Sequence, residues 1–168
     1  MEKVAYQKVL FKTVMCVMAC DGEIHESEIK EVELACHQTE YFKDLVFKDE
    51  LDIAIKEFSQ DEKKFVWDCI SSFSEHSLSP VQELQVLELI LRIIYADGRI
   101  DRNEIEFLKI VKSHLNVSNE IFFKRFGEVA GLGANHALDK LTTKTHDFIS
   151  ELNLAKVGEL EFVNISNN

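Results

Sequence analysis

Asp21-Gly22-Glu23-Ile24-His25-Glu26-Ser27-Glu28-Ile29 returns 76 residues later as Asp97-Gly98-Arg99-Ile100-Asp101-Arg102-Asn103-Glu104-Ile105. Asp, Gly, both Ile and Glu are common to the two copies. Each copy follows an apolar segment with helical spacing and precedes an amphipathic one. The pattern predicts two related helix-turn-helix units, each with two carboxylates at its corner. If the units pack face to face, four acids converge.

Outward from the corners the chain reads as helices. Val4, Leu10, Phe11, Val14, Met15 and Met18 recur at three- and four-residue spacing, predicting a first helix from about Lys3 to Cys20. Gly22 stops it. A second helix covers about Glu26 to Gln38, with Ile29, Val32, Leu34 and Ala35 inward. A third runs from about Asp44 to Phe58 and carries Leu45, Leu51, Ile55 and Phe58. Ser59-Gln60-Asp61-Glu62 has capping-box spacing and predicts a fourth, about Gln60 to Phe73. Ser79-Pro80 opens a fifth that reaches Ala96, with Pro at the first helical position. A sixth spans about Arg102 to Leu115. Ser118 caps a seventh, Asn119 to Val129, with Val117 and Phe122 spaced as a hydrophobic staple. Gly131-Leu132-Gly133 is a loop. Phe148, Ile149, Leu152 and Leu154 predict a short last helix, and Glu161 to Asn168 a frayed tail. The expected fold class is all-α: a compact bundle of about seven or eight helices with two pseudo-symmetric hairpins. The expected organisation is a helical domain over 1–130 and a C-terminal extension over 131–168, packed on it or partly disordered. In the aligned copies Val14 matches Ile90, Met15 matches Leu91 and Met18 matches Ile94. The third and fourth helices are then an insertion between the copies.

Most of the repeated motif has a structural reading. Gly ends one helix. His25 or Asp101 is the N-cap of the next, and Glu28 or Glu104 stands where its carboxylate reaches back to the cap N–H. Ile24 and Ile29, and Ile100 and Ile105, have staple spacing. Asp21 and Asp97 are left over. Each follows a helix C-terminus, where the macrodipole disfavours an anion. If Asp21 and Glu28 approach Asp97 and Glu104 to ~5 Å, each like-charge pair costs roughly 3 kcal/mol at an effective dielectric of 20. A divalent cation reverses that sign, and hard oxygen ligands suit Mg²⁺, Ca²⁺ or Mn²⁺. Asp-Gly-x-Ile-x-x-x-Glu is also the second half of an EF-hand loop. The first half is missing: Val17 and Ala19, or Ile93 and Tyr95, stand where acids are required.

The formal net charge is −11, from 30 Asp and Glu against 19 Lys and Arg. That excludes a nucleic-acid backbone as partner and favours cations or basic protein surfaces. Cys16, Cys20, Cys36 and Cys69 have no CxxC spacing and read as small core residues in a reducing compartment. Glu2, Lys8 and Lys12 make the N-terminus a poor signal peptide. No apolar run approaches the ~18 residues of a membrane span. A soluble, cytoplasmic protein without a direct membrane span is expected. No His follows a Glu by three residues, which removes a di-iron site. Hydrolase and phosphate-loop motifs are also absent.

Met18-Ala19-Cys20-Asp21-Gly22-Glu23-Ile24 and Tyr95-Ala96-Asp97-Gly98-Arg99-Ile100, each with Glu four residues beyond the Ile, resemble the TerB family of tellurite-resistance proteins. The resemblance covers about Lys3 to Val129, and the same domain type opens the DjlA-type membrane co-chaperones. It implies a TerB-like helical bundle with pseudo-two-fold halves. It implies a metal site at Asp21, Glu28, Asp97 and Glu104, with His25 and Asp101 as accessory candidates. The cofactor would be a divalent cation: Ca²⁺, Mg²⁺, Mn²⁺ or Zn²⁺. The implied role is non-enzymatic, in a stress response of the tellurite-resistance type. The implied partners are other proteins, such as a membrane-associated stress complex. The chain departs from typical members after Gly131 and in Cys20, where Ala is usual. Two other readings of the residues stand beside this one. The corners are purely structural in a helical interaction module, or the four carboxylates hold a catalytic metal.

Overall fold

Helix α1 (Lys3–Ala19) is buried on nearly every side over its second half, from Thr13 to Ala19. A helix that is apolar all round has to be surrounded. In the computed structural model, which describes residues 3–43, 45–132 and 144–156, α3, α4, α5 and α6 all pack on α1. The other elements are α2 (Glu26–Gln38), α3 (Phe47–Gln60), α4 (Glu62–Glu75), α5 (Pro80–Ile94), α6 (Arg102–Ser113), α7 (Asn119–Phe126) and α8 (Thr145–Glu151). No strand occurs among the described residues. The fold is the expected all-helical bundle.

The duplicated units interlock through their first helices. Helices α1 and α5 share the most extensive packing, with Met15, Met18, Ile90 and Ile94 all buried. Helix α2 packs on α5, and α6 packs on α1. Each second helix therefore leans on the other unit's first helix, which draws both corners to the same end of the α1/α5 pair. The inserted α3 and α4 cover the remaining flank of α1. Phe11 meets Phe42 and Phe47 edge-on at 5.8 and 5.9 Å, and Phe58 meets Phe65 at 5.4 Å. Each such ring stabilises by roughly 2–3 kcal/mol through burial.

Local signals set most boundaries. The Ser79 hydroxyl accepts from Gln82 N–H while the Gln82 side chain accepts from Ser79 N–H, and Pro80 follows the cap. Ser118 accepts from Ile121 N–H. Three expected boundaries need correction. The cap of α4 is Asp61, which accepts from Lys64 N–H; Ser59 lies inside α3 and donates to Ile55 carbonyl. Helix α3 starts at Phe47, after a turn closed by Leu45 N–H and Phe42 carbonyl, while Asp44 lies outside the described residues. Helix α7 stops at Phe126, because Gly127 turns to φ +72. Leu34, read as inward, and Val4, counted in the apolar pattern of α1, are about half exposed: α1 leaves the bundle at its first turn, and Leu34 falls on the outer face of α2.

After α7, Leu132 is buried, and Gly131 sits against Ile100 and Ile105. Helix α8 packs on α4. Beyond it Leu152, Leu154 and Ala155 are buried, and Ala155 N–H donates to Ala19 carbonyl at 3.1 Å. The tail expected from Glu161 to Asn168 lies outside the described residues.

Candidate functional site

The two corners are built bond for bond alike. Cys20 N–H donates to Val17 carbonyl at 3.1 Å, and its counterpart Ala96 donates to Ile93 at 2.9 Å. Gly22 N–H donates to Ala19 carbonyl, as Gly98 does to Tyr95, both at 3.3 Å. The glycines take φ +94 and +76, which a side chain would strain. Asp21 Oδ1 accepts from Glu23 N–H at 2.9 Å, and Asp97 Oδ1 from Arg99 N–H at 2.7 Å. These are Asx turns. They supply the structural partner that helix-dipole reasoning did not find for the two aspartates.

The next helices start alike as well. Glu28 Oε2 accepts from His25 N–H at 2.7 Å, and Glu104 Oε2 from Asp101 N–H at 3.0 Å. Asp101 Oδ1 also accepts from Asn103 N–H at 2.6 Å. Each motif carboxylate thus spends one oxygen on a backbone amide.

The corners lie side by side. The Asn103 side chain of the second motif donates to the Cys20 carbonyl of the first at 3.1 Å. His25 stands between the two aspartates, with Nε2 at 3.4 Å from Asp21 Oδ2 and 4.0 Å from Asp97 Oδ2. Together they line a cleft of about 390 Å³ that holds Asp21, His25, Glu28, Asp97, Asp101 and Glu104. All six residues singled out by the motif are therefore on one wall or another of the same cleft. The cleft also includes Arg99 at its exposed rim and Asn153 from the C-terminal segment. Asn103 and Asn153 were not anticipated. Asn103 replaces Ser27 of the first copy, so the repeat gave no signal for it. Asn153 arrives only through the docking of residues far along the chain.

Burial dominates the electrostatics. Glu28 and Glu104 are 2 % and 5 % exposed. Desolvation raises the Glu28 carboxyl to about 8; the backbone bond from His25 opposes it, and Asp21, Glu104 and Asp97 add to it. Glu104 is raised to about 7, again mainly by desolvation, with Asp21, Asp101 and Asp97 contributing. The donor set is oxygen with a single imidazole, the chemistry that hard cations take. Among the described residues, no three His, Cys, Asp or Glu side chains already stand in an arrangement that would hold a metal ion. Direct coordination would require the free oxygens to turn inward; otherwise water would stand between them and the ion.

No helix among the described residues is long and apolar enough to cross a membrane. No curated protein and no solved structure matches the chain. The family model described as tellurite resistance protein TerB matches residues 8–124, a span that contains both corners and all six motif residues of the cleft. With more than half of its length matched, the chain belongs to the TerB family.

Proposed function

We propose that this TerB-family protein is a non-enzymatic, cytoplasmic cation-binding protein that acts in a stress response through protein partners. The observation that carries the reading is the convergence of both Asp-Gly corners on one cleft with two buried glutamates. A helix-to-helix corner needs one cap carboxylate. It does not need four carboxylates from two units gathered where the aspartates add to the cost of ionising both buried glutamates. A hard divalent cation, Mg²⁺, Ca²⁺ or Mn²⁺, would remove that cost. Mg²⁺ in particular keeps several waters and needs only one or two carboxylates directly. That suits a cleft whose side chains each keep one oxygen on the backbone. Zn²⁺ fits less well, because the cleft offers one His and no Cys. With a net charge of −11, the surface repels oxyanions such as tellurite, so a stress role has to run through other proteins.

A second reading is favoured by the Asx turns. They give Asp21 and Asp97 a structural job without metal, which makes the corners structural features of a helical interaction module. Melting curves decide between the two. Under the cation reading, millimolar Mg²⁺, Ca²⁺ or Mn²⁺ raises Tm, since binding at a hundred times Kd stabilises by about 2.7 kcal/mol. Asp97→Asn abolishes most of that gain while leaving the metal-free protein as stable or slightly more so. If Asp97→Asn keeps the full cation-dependent shift, Asp97 is no ligand and the four-carboxylate site is withdrawn. If no cation shifts the parent, the structural reading stands.

A further inference from the structure

Residues 144–156 lie beyond the span 8–124 that matches the family model, yet they are built into the cleft. Helix α8 packs on α4, and Lys63 Nζ donates to the Ser150 carbonyl. The chain then meets the end of α1, burying Leu152, Leu154 and Ala155. Ala155 N–H donates to the Ala19 carbonyl at 3.1 Å. That carbonyl also accepts from Gly22 N–H at 3.3 Å, the bond that closes the first corner. One acceptor therefore ties the corner to the C-terminal segment. The Asn153 backbone stands so close to Gly22 that a Cβ there would come within 3.1 Å of its carbonyl oxygen. Asn153 also lines the cleft, with Asp21, Gly22 and Glu23. The second corner lacks this tie. Among the described residues, no backbone N–H but that of Gly98 donates to the Tyr95 carbonyl, and a Cβ on Gly98 would meet open space. Inside the cleft, Glu28 and Glu104 are more than nine-tenths buried and give Oε2 to a backbone amide. Their other oxygens accept no hydrogen bond among the described residues.

We propose that residues 150–155 are a strap whose docking fixes the first corner and is coupled to occupancy of the acidic cleft by a divalent cation. An undocked strap weakens cation binding, and a bound cation tightens the strap. This coupling rests on the cation reading of the cleft. The physical route is short. Glu23 N–H holds Asp21 Oδ1, and the Ala19 carbonyl holds Gly22 between them. Undocking takes the Ala155 bond off that carbonyl and the Asn153 backbone off Gly22, so Asp21 samples more orientations. A cation then has to order the corner as it binds, which lowers its affinity. Coupling between two equilibria is reciprocal, so the cation favours the docked strap by the same factor. Whatever captures Leu152 and Leu154 therefore lowers the affinity of the cleft, and loss of the cation loosens those two leucines. The strap acts on one corner only, which gives two otherwise equal units different roles: the second corner is fixed by its own helices, and the first is adjustable.

The test pairs calorimetric titration of the full chain with Mg²⁺, Ca²⁺ and Mn²⁺ and amide hydrogen exchange. Ala155→Pro removes the donor of the strap, and Leu154→Ala removes one of its buried anchors while keeping that N–H. Neither position carries a candidate ligand. In each variant the cation Kd should rise at least about fivefold, the lower end of typical coupling between sites. Saturating Mg²⁺ or Ca²⁺ should slow exchange of the parent's Ala155 amide by a similar factor. In chelator, Leu154→Ala should speed exchange at Gly22 and Glu23 and leave Gly98 and Arg99 as in the parent, a contrast that a general loss of stability does not produce. If Ala155→Pro fails to fold, Leu154→Ala alone decides. Equal Kd values in parent and variant would overturn the coupling and leave the cation reading standing. So would equal acceleration at the two corners. A parent that binds none of the three cations withdraws the reading and the coupling together.

Discussion

Replacing Glu28 by Gln changes the charge of the cleft while keeping its shape. The Gln amide still offers an oxygen to His25 N–H, the bond that opens α2. Burial raises the Glu28 carboxyl from the ordinary 4.5 to about 8. The folded value lies above the unfolded one, so the folded protein holds the proton more tightly. The stability this brings is complete below the unfolded value and is lost as pH rises through the folded one. The window is therefore pH 4.5 to about 8. At about 1.4 kcal/mol per decade, the ceiling on the loss is roughly 5 kcal/mol, of which roughly 3 has gone by pH 7. Glu28→Gln carries no such penalty. In chelator, the variant and the parent should melt together at pH 5. At pH 8.5 the variant should be the more stable by at least about 1 kcal/mol, or roughly 2–4 °C in Tm for a chain of this size. Adding a cation should reverse the order at pH 8.5, because only the parent gains a ligand. Denaturant unfolding across pH 5–9, with and without chelator, measures both effects. Parallel stability-versus-pH curves for parent and variant in chelator would show that Glu28 is not a buried, costly carboxylate, and the electrostatic account of the cleft would fail.

Gly22→Ala should cost more than Gly98→Ala in equilibrium unfolding. Both glycines have positive φ, a strain of about 1–2 kcal/mol for a side chain, but a Cβ at Gly22 also comes within 3.1 Å of Asn153 carbonyl whereas Gly98 faces open space; equal losses would show that the C-terminal segment does not rest on the first corner. Asn103→Ala removes a side-chain hydrogen bond between the motifs, to Cys20 carbonyl, and should destabilise by about 1–3 kcal/mol; a neutral result in the same assay would mean that water replaces the amide freely. Phe58→Ala empties a fully buried site in edge contact with Phe65 and should cost about 3–5 kcal/mol by denaturant titration; a loss under about 1 kcal/mol would mean that α3 is not part of the cooperative core.

The repeat was enough to specify an all-helical chain with two matched corners. It did so because helix periodicity, the Gly stops and the caps at Ser79, Ser118 and Asp101 act within about four residues, where sequence and structure coincide. Duplication also implied that the corners face each other, since like units pack with like. Where two local signals competed, the reading failed: Ser59 and Asp61 both suit a cap, and only the continuation of α3 through Gln60 selects Asp61. The Asx turns at Asp21 and Asp97 were local, yet the helix dipole offered a rival account of the same residues. Other features were beyond the sequence altogether. That Glu28 and Glu104 are costly to ionise depends on how much water the packed bundle removes. That Asn153 reaches the cleft depends on residues 144–156 docking against α1 and α4. That Thr13 meets Cys69 depends on the inserted α4 lying along α1. Each of these joins residues dozens of positions apart, and only the tertiary packing of the helices sets those distances and that desolvation.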